Sequence, residues 1–499
     1  QVFEAAIPIA IIAVGLSSGF KRKNALGENV IIQSIGASSG VIVAGAIFTL
    51  PALYILQDKY PEITVNFFEV FMSSLLGGIL GILLLIPFRK YFVSTMHGKY
   101  PFPEATATTQ VLVSGEKGGN QAKPLIFAGL IGGLYDFIVA TFGGWSETVS
   151  TTIVSAGATL AEKVKLVMKV NTGAAVLGLG YIIGLKYSLI ICAGSFLVWL
   201  IIIPVMSAVF STDVLTLGND AITATVGSMS AEEIFTTYAR HIGIGGIATA
   251  GVIGIIKSWG IIKGAVGLAV KEMNNKGEAN MKRVPRTQRD IPMKIISIGV
   301  VATLLITLLF FQFGLLHNPF YAVIAFLFTT VAANAIAIVG TNPVSGMTLM
   351  TLILASIILV ACGLKGTAGM VSALIIGGVV CTALSMAGGF ITDLKIGYWL
   401  GTTPAKQETW KFLGTLVSAA TVGGVILILN QTYGFTSGQL AAPQANAMAA
   451  VIEPLMSGAG APWALYGIGA VLAIVLNFMG VPALAFALGM FIPLELNTP

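Results

Sequence analysis

Three acids stand where a chain this apolar has little reason to keep them. Glu104 follows Tyr100-Pro101-Phe102-Pro103 and opens a run of small residues from Ala105 to Thr109. Asp136 lies inside an apolar run, in Gly132-Gly133-Leu134-Tyr135-Asp136-Phe137. Asp393 stands two positions before Lys395, beyond the apolar run that ends at Phe390 and just ahead of Gly397-Tyr398. An ionisable group within a membrane segment is costly unless it is paired or used, so each acid is a candidate for carrying a proton or meeting a charged substrate. Each also has a plain structural reading. Glu104 would answer a helix dipole behind Pro103. Asp136 would reach the end of its span by snorkelling. Asp393 would pair with Lys395 at a helix end. The residue types leave both readings open.

Other motifs lack the surroundings their chemistry needs. Gly36-Ala37-Ser38-Ser39-Gly40 has the spacing of a nucleophile elbow, without its strand–turn–helix context or a plausible histidine. Gly243-Ile244-Gly245-Gly246-Ile247-Ala248 has dinucleotide-binding spacing without a βαβ unit, so it reads as helix packing. There is no Walker A motif, which excludes ATP hydrolysis by this chain. Cys192, Cys362 and Cys381 lie in apolar segments with no CxxC, and His97, His241 and His317 form no HxxxH pair. Neither a metal site, a disulfide framework nor a cofactor is expected. The sparse His and Cys also argue against an enzyme.

The elements that must position these residues are membrane helices. Of 499 residues, 56% are hydrophobic and 10% charged, with a mean hydropathy of +0.91, against an average charged share of about 25%. Apolar runs near or above 18 residues recur throughout, which excludes a β-barrel of alternating strands. The fold class expected is all-α, a polytopic membrane bundle with an internal repeat and broken or re-entrant helices. The net charge of +6 fits positive-inside loops and implies no nucleic acid. Lys21 to Lys23 and Arg89 to Lys99 fall two spans apart, on one side, read as the cytoplasm. Residues 271–294 form a basic loop assigned to the same side, with seven Lys plus Arg against three acids. Ser211 to Glu233 has four acids and no Lys or Arg, and is placed outside. Between 124 and 233 the span count gives no clean parity, so at least one segment there is expected to be re-entrant or broken.

Spans are expected at Ala5–Phe20, Val30–Leu56 with Pro51 interrupting, Val65–Phe88, Leu125–Phe142, Val170–Leu185 and Tyr187–Phe210, and within Phe235–Val270. Later spans are Ile295–Phe313, Phe320–Val339, Met347–Cys362, Ala368–Phe390, Phe412–Leu429 and Trp463–Met479. Two repeats, 1–270 and 295–499, flank the basic loop. Pro103-Glu104-Ala105 answers Pro443-Gln444-Ala445, and Gly77-Gly78 answers Gly423-Gly424. Transporters are commonly built from such repeats, with the site at their interface. The absence of an initiating Met and the shorter second copy suggest further chain at both ends.

Tyr100-Pro101-Phe102-Pro103-Glu104-Ala105, Tyr238-Ala239-Arg240-His241-Ile242-Gly243, Asn342-Pro343 and Asp393-Leu394-Lys395-Ile396-Gly397-Tyr398 together resemble the oligopeptide transporter family. The likeness is to its prokaryotic members and the related yellow-stripe-like branch, and it covers nearly the whole chain. Thr392 stands where that family usually has Gln, and Ala405-Lys406 follows Pro404 where an Arg is common. The resemblance implies proton-coupled uptake of small peptides across the cytoplasmic membrane, or of a metal bound to a peptide-like chelator. On this reading Glu104 and Asp136 carry or gate protons, while Asp393, Lys395 and Tyr398 meet a zwitterionic substrate. Gln33, Ser34, Asn334 and Asn342 are weaker lining candidates. Tyr100, Tyr238 and Arg240, inside the matching motifs, and Gln444, opposite Glu104 in the repeat, complete the set. The partners are the substrate and the lipid bilayer, and no oligomeric state follows. A channel is the rival of another class, since Gly-rich broken helices also build pores.

Overall fold

The computed structural model describes residues 6–22, 24–117, 122–146, 148–217, 224–274, 285–311, 333, 336, 344–361, 363–435, 442–457 and 462–496. They are helical apart from loops and one short two-stranded sheet, in which β1 (Thr148–Ser150) pairs antiparallel with β2 (Lys169–Asn171). Among the described residues, six helical stretches are long and apolar enough to cross a membrane: Leu26–Lys59, Phe67–Thr95, Leu185–Val209, Arg286–Thr307, Gly366–Leu400 and Pro404–Thr432. The chain forms two compact units, one of residues 1–122 and 254–457, the other of 123–253 and 458–499.

The first unit is built around α2 (Leu26–Thr49), α4 (Phe67–Arg89), α15 (Gly366–Leu400) and α16 (Pro404–Thr432). α3 (Pro51–Lys59) continues from α2 through Leu50, which keeps helical dihedrals of −69° and −33°, so Pro51 takes a first-turn position where its missing N–H costs nothing. α2 and α15 run antiparallel: Gln33 faces Asp393, and Ser385 Oγ donates to Val41 O over 2.7 Å. α4 runs parallel to α15, and α16 parallel to α2, as Lys395 reaches Val93 and Lys411 reaches Ser34. Small residues let these backbones meet, which is how helices associate without a hydrophobic drive between them. A methyl group on Gly45 would collide with Thr382, and one on Gly81 with the backbone of Ala383. Around this core pack α1 (Ala6–Gly19), α5 (Pro103–Lys117), α13 (Met293–Phe311), α14 (Val344–Ala361) and α17 (Pro443–Ser457).

The second unit holds α6 (Ala122–Phe142), α7 (Ser155–Val164), α8 (Ala174–Ile183), α9 (Leu185–Phe196), α10 (Ile203–Val209), α11 (Ala231–Ile234), α18 (Trp463–Phe478) and α19 (Ala483–Phe491), with the start of α12 (Arg240–Asn274). Its core gathers Trp199, Phe235, Tyr238, Leu465 and Met490.

Several expected elements come out differently. Val170–Leu185 is not one span: Lys169–Asn171 is a strand and α8 has only 10 residues, half the length a crossing needs. The run expected to end at Phe390 continues ten residues further in α15, because nothing from Ile391 to Leu400 breaks a helix before Gly401 takes the left-handed conformation (φ 73°). The helix expected from Phe412 begins two turns earlier, behind Thr403 with Pro404 in its first turn. Most of Phe320–Val339, and Asn342-Pro343, lie outside the described residues.

Candidate functional site

The extension of α15 decides where its charges go. Residues two apart on a helix point about 200° away from each other. Asp393 and Lys395 therefore make no pair, contrary to the helix-end salt bridge considered from sequence. Asp393 turns toward α2 and α16, and Lys395 toward the end of α4.

Asp393 is 1% exposed, and its carboxylate accepts three side-chain hydrogen bonds. Gln33 Nε2 donates at 2.9 Å, Ser34 Oγ at 3.3 Å and Lys411 Nζ at 2.7 Å. Lys411, itself without exposed surface, also donates to Ser34 O at 2.7 Å and lies 5.4 Å from the Phe390 ring centroid. Gln407 Nε2 donates to the Asp393 carbonyl at 3.0 Å, and Thr402 Oγ1 donates to Gln407 Oε1 at 3.1 Å. A buried ion pair survives its desolvation only when the geometry is good and further hydrogen bonds fill the remaining positions. Here α2 and α16 supply those bonds around an acid on α15.

Lys395, also 1% exposed, has a different setting. Its ammonium donates to Val93 O at 2.9 Å and meets His97 Nδ1 at 3.0 Å. The rings of Phe102, Tyr398 and Trp399 lie 5.2, 5.2 and 5.3 Å away, a cation-π cage. Val93 belongs to a π-helical turn, Lys90–Thr95, that closes α4; such wide turns are frequent at functional sites. Phe102, between two prolines, is held in the left-handed region at φ 44°. That conformation costs of order 1–3 kcal/mol and persists only where the surroundings enforce it.

A third cluster closes the same ends of α4 and α16. Arg89, 1% exposed, pairs with Asp290 and donates from Nη2 to its Oδ2 at 2.8 Å. Glu408, fully buried, accepts from Ile291 N at 2.8 Å. Together they fasten residues 288–291 onto the bundle.

The sequence profile of the OPT oligopeptide transporter protein family matches residues 1–499. The chain belongs to this family. A protein of Haemophilus influenzae named "Putative oligopeptide transporter" is 26% identical, over the whole of this chain and 82% of its own length.

In this OPT transporter the candidates picked out from sequence divide between the two units. Gln33, Ser34 and Asp393 are brought together, and Lys395 sits with Tyr398. Tyr398 also lies 5.4 Å from the His97 ring. Tyr100 packs 5.8 Å from Phe92 and 6.4 Å from Phe102, and burial, aided by Tyr91, pushes its hydroxyl above the usual 10.0. Glu104 lies in the first turn of α5, 8% exposed. The other unit holds Asp136, whose Oδ1 accepts from Ala174 N at 3.0 Å at the start of α8. It also holds Tyr238, whose hydroxyl donates to Leu215 O at 2.8 Å, and Arg240. Gln444 is in the first turn of α17, with its side chain outside the described residues, as are Asn334 and Asn342 altogether.

Sequence reasoning missed Lys411, Gln407, Glu408, Arg89, Asp290 and His97. The signal for the first two was present: Gln407, Lys411, Thr415 and Ser418 recur at helical spacing, all buried on one face of α16. Starting that helix at Phe412 cut the pattern off.

Proposed function

We propose that the protein is a secondary active transporter that takes up small oligopeptides across the cytoplasmic membrane, driven by protons. The observation that carries this reading is the Asp393–Lys411 pair, enclosed by α2, α15 and α16 with Gln33 and Ser34. A proton on Asp393 would cancel the charge that holds Lys411, so proton binding and the fit of three helices become one event. Lys395 and Tyr398 are the proposed substrate-facing neighbours. Glu104 and Asp136 remain proposed proton carriers, one in each unit.

The test is uptake of labelled di- to tetrapeptides into proteoliposomes, with and without an inward proton gradient. Saturable uptake that rises with the gradient and falls at least tenfold in Asp393→Asn is the expected result. Uptake indifferent to the gradient, or unchanged in Asp393→Asn, would refute proton coupling through this pair. A parallel panel of metal chelates checks the substrate class, since saturable uptake of those alone would refute the peptide reading. Flux that never saturates would mean a channel.

A further inference from the structure

Arg240 is the first residue of α12, directly behind the π-helical turn Phe235–Ala239. It is 6% exposed, and its guanidinium lies 4.6 Å from the Phe491 ring centroid. Among the described residues, neither Nε nor Nη2 has a hydrogen-bond partner, and neither touches solvent. These two donors form one edge of the guanidinium, the edge that grips a carboxylate with two parallel bonds. A buried cation without a counter-ion is costly, and a native protein keeps few such groups without a use for them.

A second unpartnered group sits on the neighbouring helix. The Tyr466 hydroxyl of α18 is buried and has no partner among the described residues. Its ring lies 5.7 Å from that of His241, the residue after Arg240, whose Nδ1 is also unpartnered. α18 is locked against α12 at this level, because a methyl group on Gly469 would overlap the Ile242 carbonyl. Two closely packed helices thus hold a guanidinium edge and a hydroxyl, both lacking an acceptor among the described residues.

We infer that Arg240, with Tyr466 as co-donor, is the anchor for a substrate carboxylate, the free C-terminus of a peptide. The inference rests on the peptide-uptake reading and adds which end of the peptide is read and by which residues. The edge is closed in this conformation, so the carboxylate reaches it when α12 and α18 shift together, and the wide turn ahead of Arg240 supplies the slack.

The experiment is competition against labelled trialanine, in binding to the purified full chain and in proteoliposome uptake. The competitors are trialanine amide, which lacks the carboxylate, and N-acetyl-trialanine, which keeps it. Unlabelled trialanine is the reference. In the wild type the amide is expected to compete at least about tenfold less well than trialanine, the fold-change of one lost charge-assisted contact. N-acetyl-trialanine should lose less than the amide. Arg240→Gln should bring amide and free acid within about twofold of each other. Tyr466→Phe keeps the ring and its packing, and should narrow the gap about threefold even if Arg240→Gln fails to fold. A merely structural arginine would alter stability without altering this ratio. An unchanged gap in Tyr466→Phe and in folded Arg240→Gln overturns the inference, as does a wild type that competes equally with acid and amide. A wild type that binds none of the three peptides overturns the peptide reading itself, and the anchor with it.

Discussion

Lys411 and Asp393 hold each other in a place where neither charge would be stable alone. Removing one partner of such a pair leaves an uncompensated buried ion, which costs about 3–5 kcal/mol. Lys411→Met should therefore lower the unfolding free energy by about that amount, measured by denaturant titration in detergent. The double variant Asp393→Asn/Lys411→Met should recover more than half of the loss, since two neutral groups of similar size need no counter-ion. A single-variant loss below about 1 kcal/mol would mean that water reaches the pair. Asp393 was legible in the sequence because an acid beside a long apolar run stands out. Its partner was not, because Asp393 and Lys411 are brought together by packing between helices and not by spacing along one of them. Lys395 was legible as a charge, but its cage was not: Phe102 comes from a distant loop whose left-handed backbone no pattern announced.

At the scale of elements, close approach of backbones is what allows the charges to be shared. Gly81 of α4 meets the backbone of Ala383 in α15, so even one methyl group forces the helices apart. Gly424 of α16 faces open space. Gly81→Ala should destabilise the protein by about 1–3 kcal/mol through overpacking. Gly424→Ala should stabilise it by up to about 1 kcal/mol, because alanine is the better helix former. Thermal unfolding of the two variants side by side checks both signs, and equal shifts would show that the α4–α15 contact yields freely. Most helices were readable from apolar runs, including α1, α4, α6 and α13. The misplaced ends of α15 and α16 share one cause, which is that polarity does not mark a helix boundary inside a bundle. In α15 and α16 the polar residues are buried inside the bundle, so Ile391–Leu400 and Pro404–Lys411 are helix and not loop. The segment between 124 and 233 was expected to contain a broken span, and α7 and α8, with 10 residues each, are too short to cross.

At the scale of the whole molecule, two stretches of chain are laid out alike. α2 and α15 begin 340 positions apart, as do α5 and α17. α1 packs on α2 and α5, and α14 packs on α15 and α17. α2 and α15 are antiparallel, which is the arrangement an inverted duplication produces. The chemistry of the copies is unequal. Positions 340 away from Gln33, Ser34 and Asp393 hold Ala373, Leu374 and Leu53, all buried and apolar. The opposite end of the first unit has its own tie: Lys59 Nζ donates to Glu453 Oε2 at 2.8 Å, and the Tyr60 hydroxyl to Oε1 at 3.1 Å. Here the positions 340 away from Lys59 and Glu453 are Trp399 and Val113, which form no ion pair. In an alternating carrier the contacts that close one end must release while the other end holds, so unequal ties bias which end opens. The Lys59 side chain is 58% exposed and that of Glu453 24%, which limits the pair to about 1 kcal/mol, or about fivefold in an opening equilibrium. Glu453→Gln should then speed amide hydrogen exchange by up to about fivefold in 51–60 and 443–457 while leaving 103–117 unchanged, as read by mass spectrometry of the purified protein. Equal exchange in the variant and the wild type would mean that the tie is screened and sets no bias. Faster exchange in all three segments would mean that the substitution loosens the bundle as a whole and that the two ends do not act separately.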